Sequence, residues 1–193
     1  MGTLRILLMA ATAVWIWLEL MVVGLPTLLD QVRGRGRRQD GASLLVLLLG
    51  AAVGFWAAVR LTHLPFGALP GPPEAWLTAG LVLMWAGLAL RAWAIQHLGG
   101  LFRAVVVIQR DHRLVTTGPY RYLRHPSYTG ALLAAIGFGV ALGHWTSVLA
   151  LAAGWAVGIA YRVRVEEAAL RLAFGAAYDD YRARTRRLVP FLL

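Results

Sequence analysis

The sequence predicts an all-α fold: a polytopic membrane helical bundle of about five transmembrane helices that includes a short C-terminal hairpin, with amphipathic cytosolic helices after it. Two observations carry this. First, 59% of the 193 residues are hydrophobic and the mean hydropathy is +0.64, more apolar sequence than a soluble domain of this length can hide. Second, the apolar residues come in long runs separated by basic, turn-rich segments, the pattern that a bilayer selects. The whole chain, 1–193, reads as a single membrane domain.

The first span is predicted over 6–29. Its apolar stretch is too long for a signal peptide, contains Glu19 and runs into Arg33 without a cleavage site. Arg33, Arg35, Arg37 and Arg38 then anchor it on the cytoplasmic side. The second span, 44–62, ends in His63-Leu64-Pro65-Phe66-Gly67 and the turn Pro70-Gly71-Pro72-Pro73, a loop without Arg or Lys and therefore external. The third span, 75–98, returns inward. Residues 99–127 are basic, mixed and too polar to cross. Two short spans follow, 128–143 and 145–161, broken at Gly143-His144-Trp145-Thr146 and read as a tight helical hairpin. The N-terminus is thus outside and the C-terminus inside.

Residues 162–193 are predicted as a cytosolic amphipathic helix pair. Val163, Glu167, Leu170, Phe174, Tyr178 and Tyr181 recur at spacings of three and four and form one stripe, with a break or bend at Gly175.

The net charge of +10 is carried on nineteen basic residues, all of them Arg. They concentrate at 31–43, 99–127 and 162–193, alternating with the spans. That distribution is topological and suits contact with anionic lipid, and it excludes a nucleic-acid reading. There is no cysteine, so disulfides, thiolate ligands and cysteine nucleophiles are absent together. The histidines lack the spacing of a metal site, and no metal is expected.

Chemistry is concentrated in two segments. Gly118-Pro119-Tyr120-Arg121-Tyr122-Leu123-Arg124-His125-Pro126-Ser127-Tyr128 packs turn formers, aromatics and cations together. Pro126 suits the first position of a helix, where its missing N–H costs nothing, and it holds His125 extended. The helix beginning there points free amides at the cytosolic side, a site for a carboxylate or phosphate. The second segment is Arg162-Val163-Arg164-Val165-Glu166-Glu167. Glu167 lies on the apolar stripe and faces protein, with Glu166 about 100° around the helix. Carboxylates rimmed by Arg just below a membrane helix suit an ammonium group.

The run Leu114-Val115-Thr116-Thr117-Gly118-Pro119-Tyr120 followed by Arg124-His125-Pro126-Ser127-Tyr128 resembles the isoprenylcysteine carboxyl methyltransferase family and its bacterial and archaeal relatives. Arg162-x-x-x-Glu166-Glu167-x-x-Leu170-x-x-x-Phe174-Gly175-x-x-Tyr178-x-x-Tyr181, closing in Pro190, is similar to the same family in order and spacing, as is Leu98-Gly99. The resemblance covers Arg91 to Pro190. It implies an S-adenosylmethionine cofactor at the cytosolic face and a lipophilic, usually lipid-linked methyl acceptor entering from the inner leaflet. In a bacterial cell the membrane would be the plasma or inner membrane. Implied cofactor-binding residues are Leu98, Gly99, Val115, Gly118, Tyr120, His125, Pro126, Tyr128, Glu166 and Glu167; implied catalytic residues are His125, Arg162 and Glu167.

The residues suit these roles. Tyr120 and Tyr128 offer faces to a sulfonium or adenine. Glu167 with Glu166 suits the α-amino group, and His125 with the helix N-terminus suits the α-carboxylate. A carboxylate acceptor needs no general base and is oriented by an Arg such as Arg162; an amine acceptor would use His125 as base. A phospholipid-amine N-methyltransferase and a non-catalytic membrane scaffold are the two other readings. Plainer roles are a helix cap for His125, an i,i+4 pair of Glu167 with Arg171, packing for Tyr178 and Tyr181, and a Glu19–Arg91 pair joining the first and third spans. Arg91 is alternatively close enough to the inner face to touch cofactor or substrate.

Overall fold

Hydrogen bonds inside each helix are what let this backbone cross a hydrocarbon layer, and the computed structural model shows helices over the apolar runs among the described residues. It describes residues 2–21, 42–99 and 114–188. Residues 22–29 of the first predicted span, most of the first basic loop, 100–113 and Pro190 lie outside the described residues. Helix α1 is Gly2–Glu19, α2 is Ser43–Leu61 and α3 is Pro73–Leu98. A 3-10 turn, Gly118–Arg121, precedes α4, Pro126–Ala141. Helix α5 is Trp145–Phe174 and α6 is Ala176–Arg184.

Helices α1, α2, α3 and α5 are each long and apolar enough to cross a membrane, and α4 is a shorter apolar helix of 16 residues. The chain is an integral membrane protein. The predicted hairpin is present, turning at Gly143 with φ 68°. Its second arm differs from expectation. The apolar run ends near Tyr161, but α5 continues unbroken to Phe174. Hydropathy marks where lipid stops, not where helical hydrogen bonding stops, and Glu-Glu-Ala-Ala-Leu-Arg-Leu-Ala are strong helix formers. The predicted first cytosolic helix is therefore the end of α5. Gly175, at φ 51°, ends it as expected: its N–H donates to the Arg171 carbonyl, and the chain turns into α6.

Lipid removes the hydrophobic drive between helices, so close backbone packing takes its place. Helices α3 and α4 run antiparallel with Gly80 and Gly87 against Gly137, Ala141, Gly130 and Ala134. Helices α2 and α5 do the same through Gly50 and Gly54 against Gly154 and Gly158. Helix α1 lies on α3, and its Trp15 stacks on Trp155 of α5 with ring centroids 5.7 Å apart. Leucine, valine and tryptophan side chains on the outer faces, such as Leu45, Trp56, Val82 and Val157, are exposed.

The two ends of the bundle are built differently. At one end the α2–α3 loop is stitched to the hairpin turn: the Leu69 N–H donates to Gly143 O (2.8 Å) and the Trp145 N–H to Gly67 O (2.9 Å). The other end gathers Ser43, Arg91, Pro126 and Arg162, all buried, where four helices begin, end or leave the apolar layer.

Candidate active site

Pro126 occupies the first turn of α4, and His125 before it has φ −128° and ψ 56°, outside the helix. This places the imidazole beside α5, where Glu166 and Glu167 are one turn beyond Arg162. His125 Nδ1 is 3.3 Å from Glu166 Oε2, and Nε2 is 3.5 Å from Glu167 Oε1. The second contact is an ion-pair distance without a hydrogen bond, so His125 Nε2 is a buried polar atom with no hydrogen-bond partner among the described residues. Adjacent residues 100° apart both reach the imidazole because it lies between their directions.

The remaining oxygens also have partners. The Tyr128 hydroxyl donates to Glu166 Oε1 (2.7 Å), and Arg162 Nε lies 3.4 Å from the same oxygen. Arg162 also donates to the Tyr128 hydroxyl (3.2 Å) and to Ser43 Oγ on α2 (2.9 Å), and is 1% exposed. Glu167 accepts from Arg124 Nε (2.9 Å) and pairs with Arg187 Nη2 (2.9 Å). Its expected i,i+4 partner, Arg171, pairs instead with Asp179 at 3.2 Å.

Burial alone would push the His125 pKa down. The Glu166 and Glu167 carboxylates outweigh it and raise the pKa above the ordinary 6.5. Because the folded value is the higher one, the stabilisation is fully present below about 6.5 and is lost as pH rises through the raised value. Thermal midpoints of wild type and His125→Gln therefore converge at alkaline pH and separate towards neutral pH. Midpoints that stay parallel across that range would contradict a charged His125.

A segment from late in the chain completes this end. Residues 185–188 run beside 122–125 through one parallel bridge, Leu123 with Arg186. The Arg124 N–H donates to Arg186 O (2.7 Å), the His125 N–H to Arg187 O (3.1 Å), and Thr129 Oγ1 to Leu188 O (2.6 Å). Arg124 further donates to the carbonyls of Arg182 and Thr185. Tyr181 donates to Tyr120 O (2.8 Å), so α6 braces the 3-10 turn. Burial raises the pKa of Tyr120, Tyr178 and Tyr181, so all three remain neutral.

The structure thus brings His125, Pro126, Tyr128, Arg162, Glu166 and Glu167 together. Gly118 and Tyr120 form a neighbouring group with His97 at the end of α3, whose last residue is Leu98 with Gly99 as its cap; Val115 lies on the segment leading to Gly118. Gly118, at φ 58°, lies against the His97 ring, where a Cβ would meet Cε1 at 2.7 Å; Tyr120 stacks on that ring at 6.4 Å and donates weakly to Ala94 O (3.4 Å). Beside this group is a cleft of about 570 Å³ lined by Thr116, Thr117, Gly118, Arg121, Tyr181, Arg184 and Thr185. Among the described residues no group of three or more His, Asp or Glu is arranged to hold a metal ion. Sequence reasoning did not find Arg124, Arg187, Thr185 or Ser43. Arg124 stands inside the Arg124-His125-Pro126 motif without a role of its own there, and both it and His125 reach Glu167 Oε1.

Fold and site define an intramembrane helical protein with a buried His–Glu–Glu–Arg cluster at one end. Residues 79–172 match the Isoprenylcysteine carboxyl methyltransferase (ICMT) family. A probable protein-S-isoprenylcysteine O-methyltransferase of Oryza sativa subsp. indica is 32% identical over 162 residues, covering 81% of this chain and 84% of that protein. The protein-S-isoprenylcysteine O-methyltransferase of Schizosaccharomyces pombe is 31% identical over 151 residues, 77% of this chain but 64% of the relative. The solved structure of a eukaryotic intramembrane Ras methyltransferase, an isoprenylcysteine carboxyl methyltransferase, superposes with a TM-score of 0.60 at 27% identity, covering 75% of this chain and 52% of that one. The chain belongs to the isoprenylcysteine carboxyl methyltransferase family.

Proposed function

We propose that this protein transfers a methyl group from S-adenosylmethionine to a carboxylate on a membrane-associated, lipid-linked acceptor, on the cytoplasmic side of the membrane. The observation that carries the reading is the pair of carboxylates, Glu167 buried and Glu166 partly so, facing one buried imidazole and formed by the segments that match the family. The names of the relatives, isoprenylcysteine O-methyltransferases, support a carboxyl acceptor carried on a lipid group.

The donor set fits the cofactor. Glu167 and Glu166 suit its α-amino group. His125, with a raised pKa and an Nε2 lacking a hydrogen bond, suits its α-carboxylate. Tyr128, stacked on His125 at 5.8 Å, and Tyr120 offer aromatic faces, and Gly118 lines the adjoining cleft; the roles of Leu98, Gly99 and Val115 rest on the family resemblance. When bound, S-adenosylmethionine supplies an electrophilic methyl group on a sulfonium. The chain's own residues bind, orient and exclude water. A carboxylate acceptor arrives already ionised, so His125 binds and does not act as a base. In this reading Arg162 works by holding Glu166 and the Tyr128 hydroxyl in place, since its own donors reach Tyr128 and Ser43.

The test is calorimetry on detergent-purified protein with S-adenosylmethionine and its demethylated product, followed by methyl transfer to a farnesylated cysteine. We expect binding on the order of micromolar, loss of it in His125→Ala, and a methylated product that mild alkali cleaves. No binding to folded wild type rejects the reading, and an alkali-stable product reassigns the acceptor to an amine.

A further inference from the structure

Helix α1 lies outside the residues that match the family, and its outer face is exposed apolar surface. Its last residue is nevertheless built into the bundle. Glu19 Oε2 accepts from Arg91 Nη2 at 2.7 Å, and its other oxygen accepts from Trp15 Nε1 at 3.2 Å. Arg91, on α3, is 3% exposed. Its Nη1 donates to the Ser127 carbonyl (3.2 Å) and hydroxyl (2.9 Å) in the first turn of α4. Its Nε has no hydrogen-bond partner among the described residues, so the two terminal nitrogens alone fix the guanidinium. Trp15 in turn stacks on Trp155 of α5. A single chain of contacts therefore runs from α5 through α1 and α3 to the turn that carries His125.

We propose that Glu19 is a positioning residue for the candidate active site: through Arg91 it fixes the Ser127 end of α4, and with it the His125–Pro126 turn. Helix α1 is then a working part of the site as well as a membrane span. A charge held in so apolar a place requires a partner, and Glu19 supplies one on the side of Arg91 away from Ser127. Without it the guanidinium is released towards other acceptors, and the α4 turn loses its two hydrogen bonds. Small displacements of binding groups are costly, since misplacement by about 1 Å can lower a rate on the order of a hundredfold. The inference rests on the methyltransferase reading for its effect on binding and turnover, but not for its effect on the turn.

The experiment compares wild type with Glu19→Gln, Glu19→Asp and the exchange Glu19→Arg/Arg91→Glu. It reads binding of the demethylated cofactor product, kcat with a farnesylated cysteine, and amide hydrogen exchange at 127–130. We expect Glu19→Gln to weaken binding and lower kcat on the order of tenfold and to speed exchange at the first turn of α4, with Glu19→Asp recovering most of both. The exchanged pair restores an ion pair between α1 and α3 but places no donor against Ser127, so binding stays weak. Binding and exchange in Glu19→Gln equal to wild type would overturn the proposal, as would an exchanged pair that binds like wild type. Failure of wild type to bind rejects the methyltransferase reading instead, and amide exchange then decides the fate of the Glu19 link alone.

Discussion

We expect Glu167→Ala to abolish the S-adenosylmethionine binding proposed above and to lower stability by about 3 kcal/mol or more. Arg124 is the reason for the second effect. Its guanidinium side chain is 9% exposed and has its charge neutralised by Glu167 at 2.9 Å. Removing one partner of a buried pair leaves the other as an uncompensated charge, which costs about 3–5 kcal/mol. The carbonyls of Arg182 and Thr185 still accept from Arg124, which keeps the expectation at the lower end of that range. Arg187 adds little, because its side chain is 46% exposed and water replaces the carboxylate. Glu167→Gln separates the effects: it keeps acceptor oxygen for Arg124 but loses the charge an ammonium needs. Calorimetry and thermal unfolding in detergent measure both. A stability loss under about 1 kcal/mol in Glu167→Ala would place the cluster among ordinary exposed ion pairs.

Gly87→Leu prevents formation of the folded bundle. Even a Cβ at this position meets the Ala134 nitrogen and the Gly130 oxygen at 2.5 Å, both backbone atoms that cannot rotate away. Helices α3 and α4 must separate, and they do so along their whole contact because Gly80 and Gly137 are equally close further along. Overpacking commonly costs about 1–3 kcal/mol where side chains can yield; here only backbone can, so the expected loss exceeds that range. The readout is the monodisperse peak in detergent gel filtration, reduced in Gly87→Ala and absent in Gly87→Leu. Gly2→Ala, with nothing within 4 Å of the added carbon, is the neutral control. A folded Gly87→Leu would show that the pair tolerates separation.

The spans were legible in the sequence because each is a long apolar run with charge or turn residues at its ends. The hairpin turn and the break at Gly175 were legible for a local reason: Gly143 and Gly175 both take positive φ. The pairing of Glu19 with Arg91 was legible because two charges in apolar spans have few other partners. The placement of Glu167 towards protein followed from its stripe. What could not be read depends on segments far apart in sequence. A single bridge between Leu123 and Arg186 leaves no periodicity, so the arrival of Arg187 at Glu167 had no signature. Ser43 meets Arg162 only because α2 and α5 pack antiparallel through glycines, and the register of that packing is a tertiary property. The length of α5 was misread for a simpler reason, since the end of the apolar run was taken as the end of the helix.

The bridge between 122–125 and 185–188 also sets an order of events during synthesis. A chain emerges from its N-terminal end, so α1 to α5 can be delivered to the bilayer while 185–188 are still within the ribosome. Until those residues arrive, the Arg124 and His125 amides lack their carbonyl partners and Glu167 lacks Arg187. Nascent protein is accordingly inserted before it is competent, and the charged cluster closes only once 185–188 have emerged.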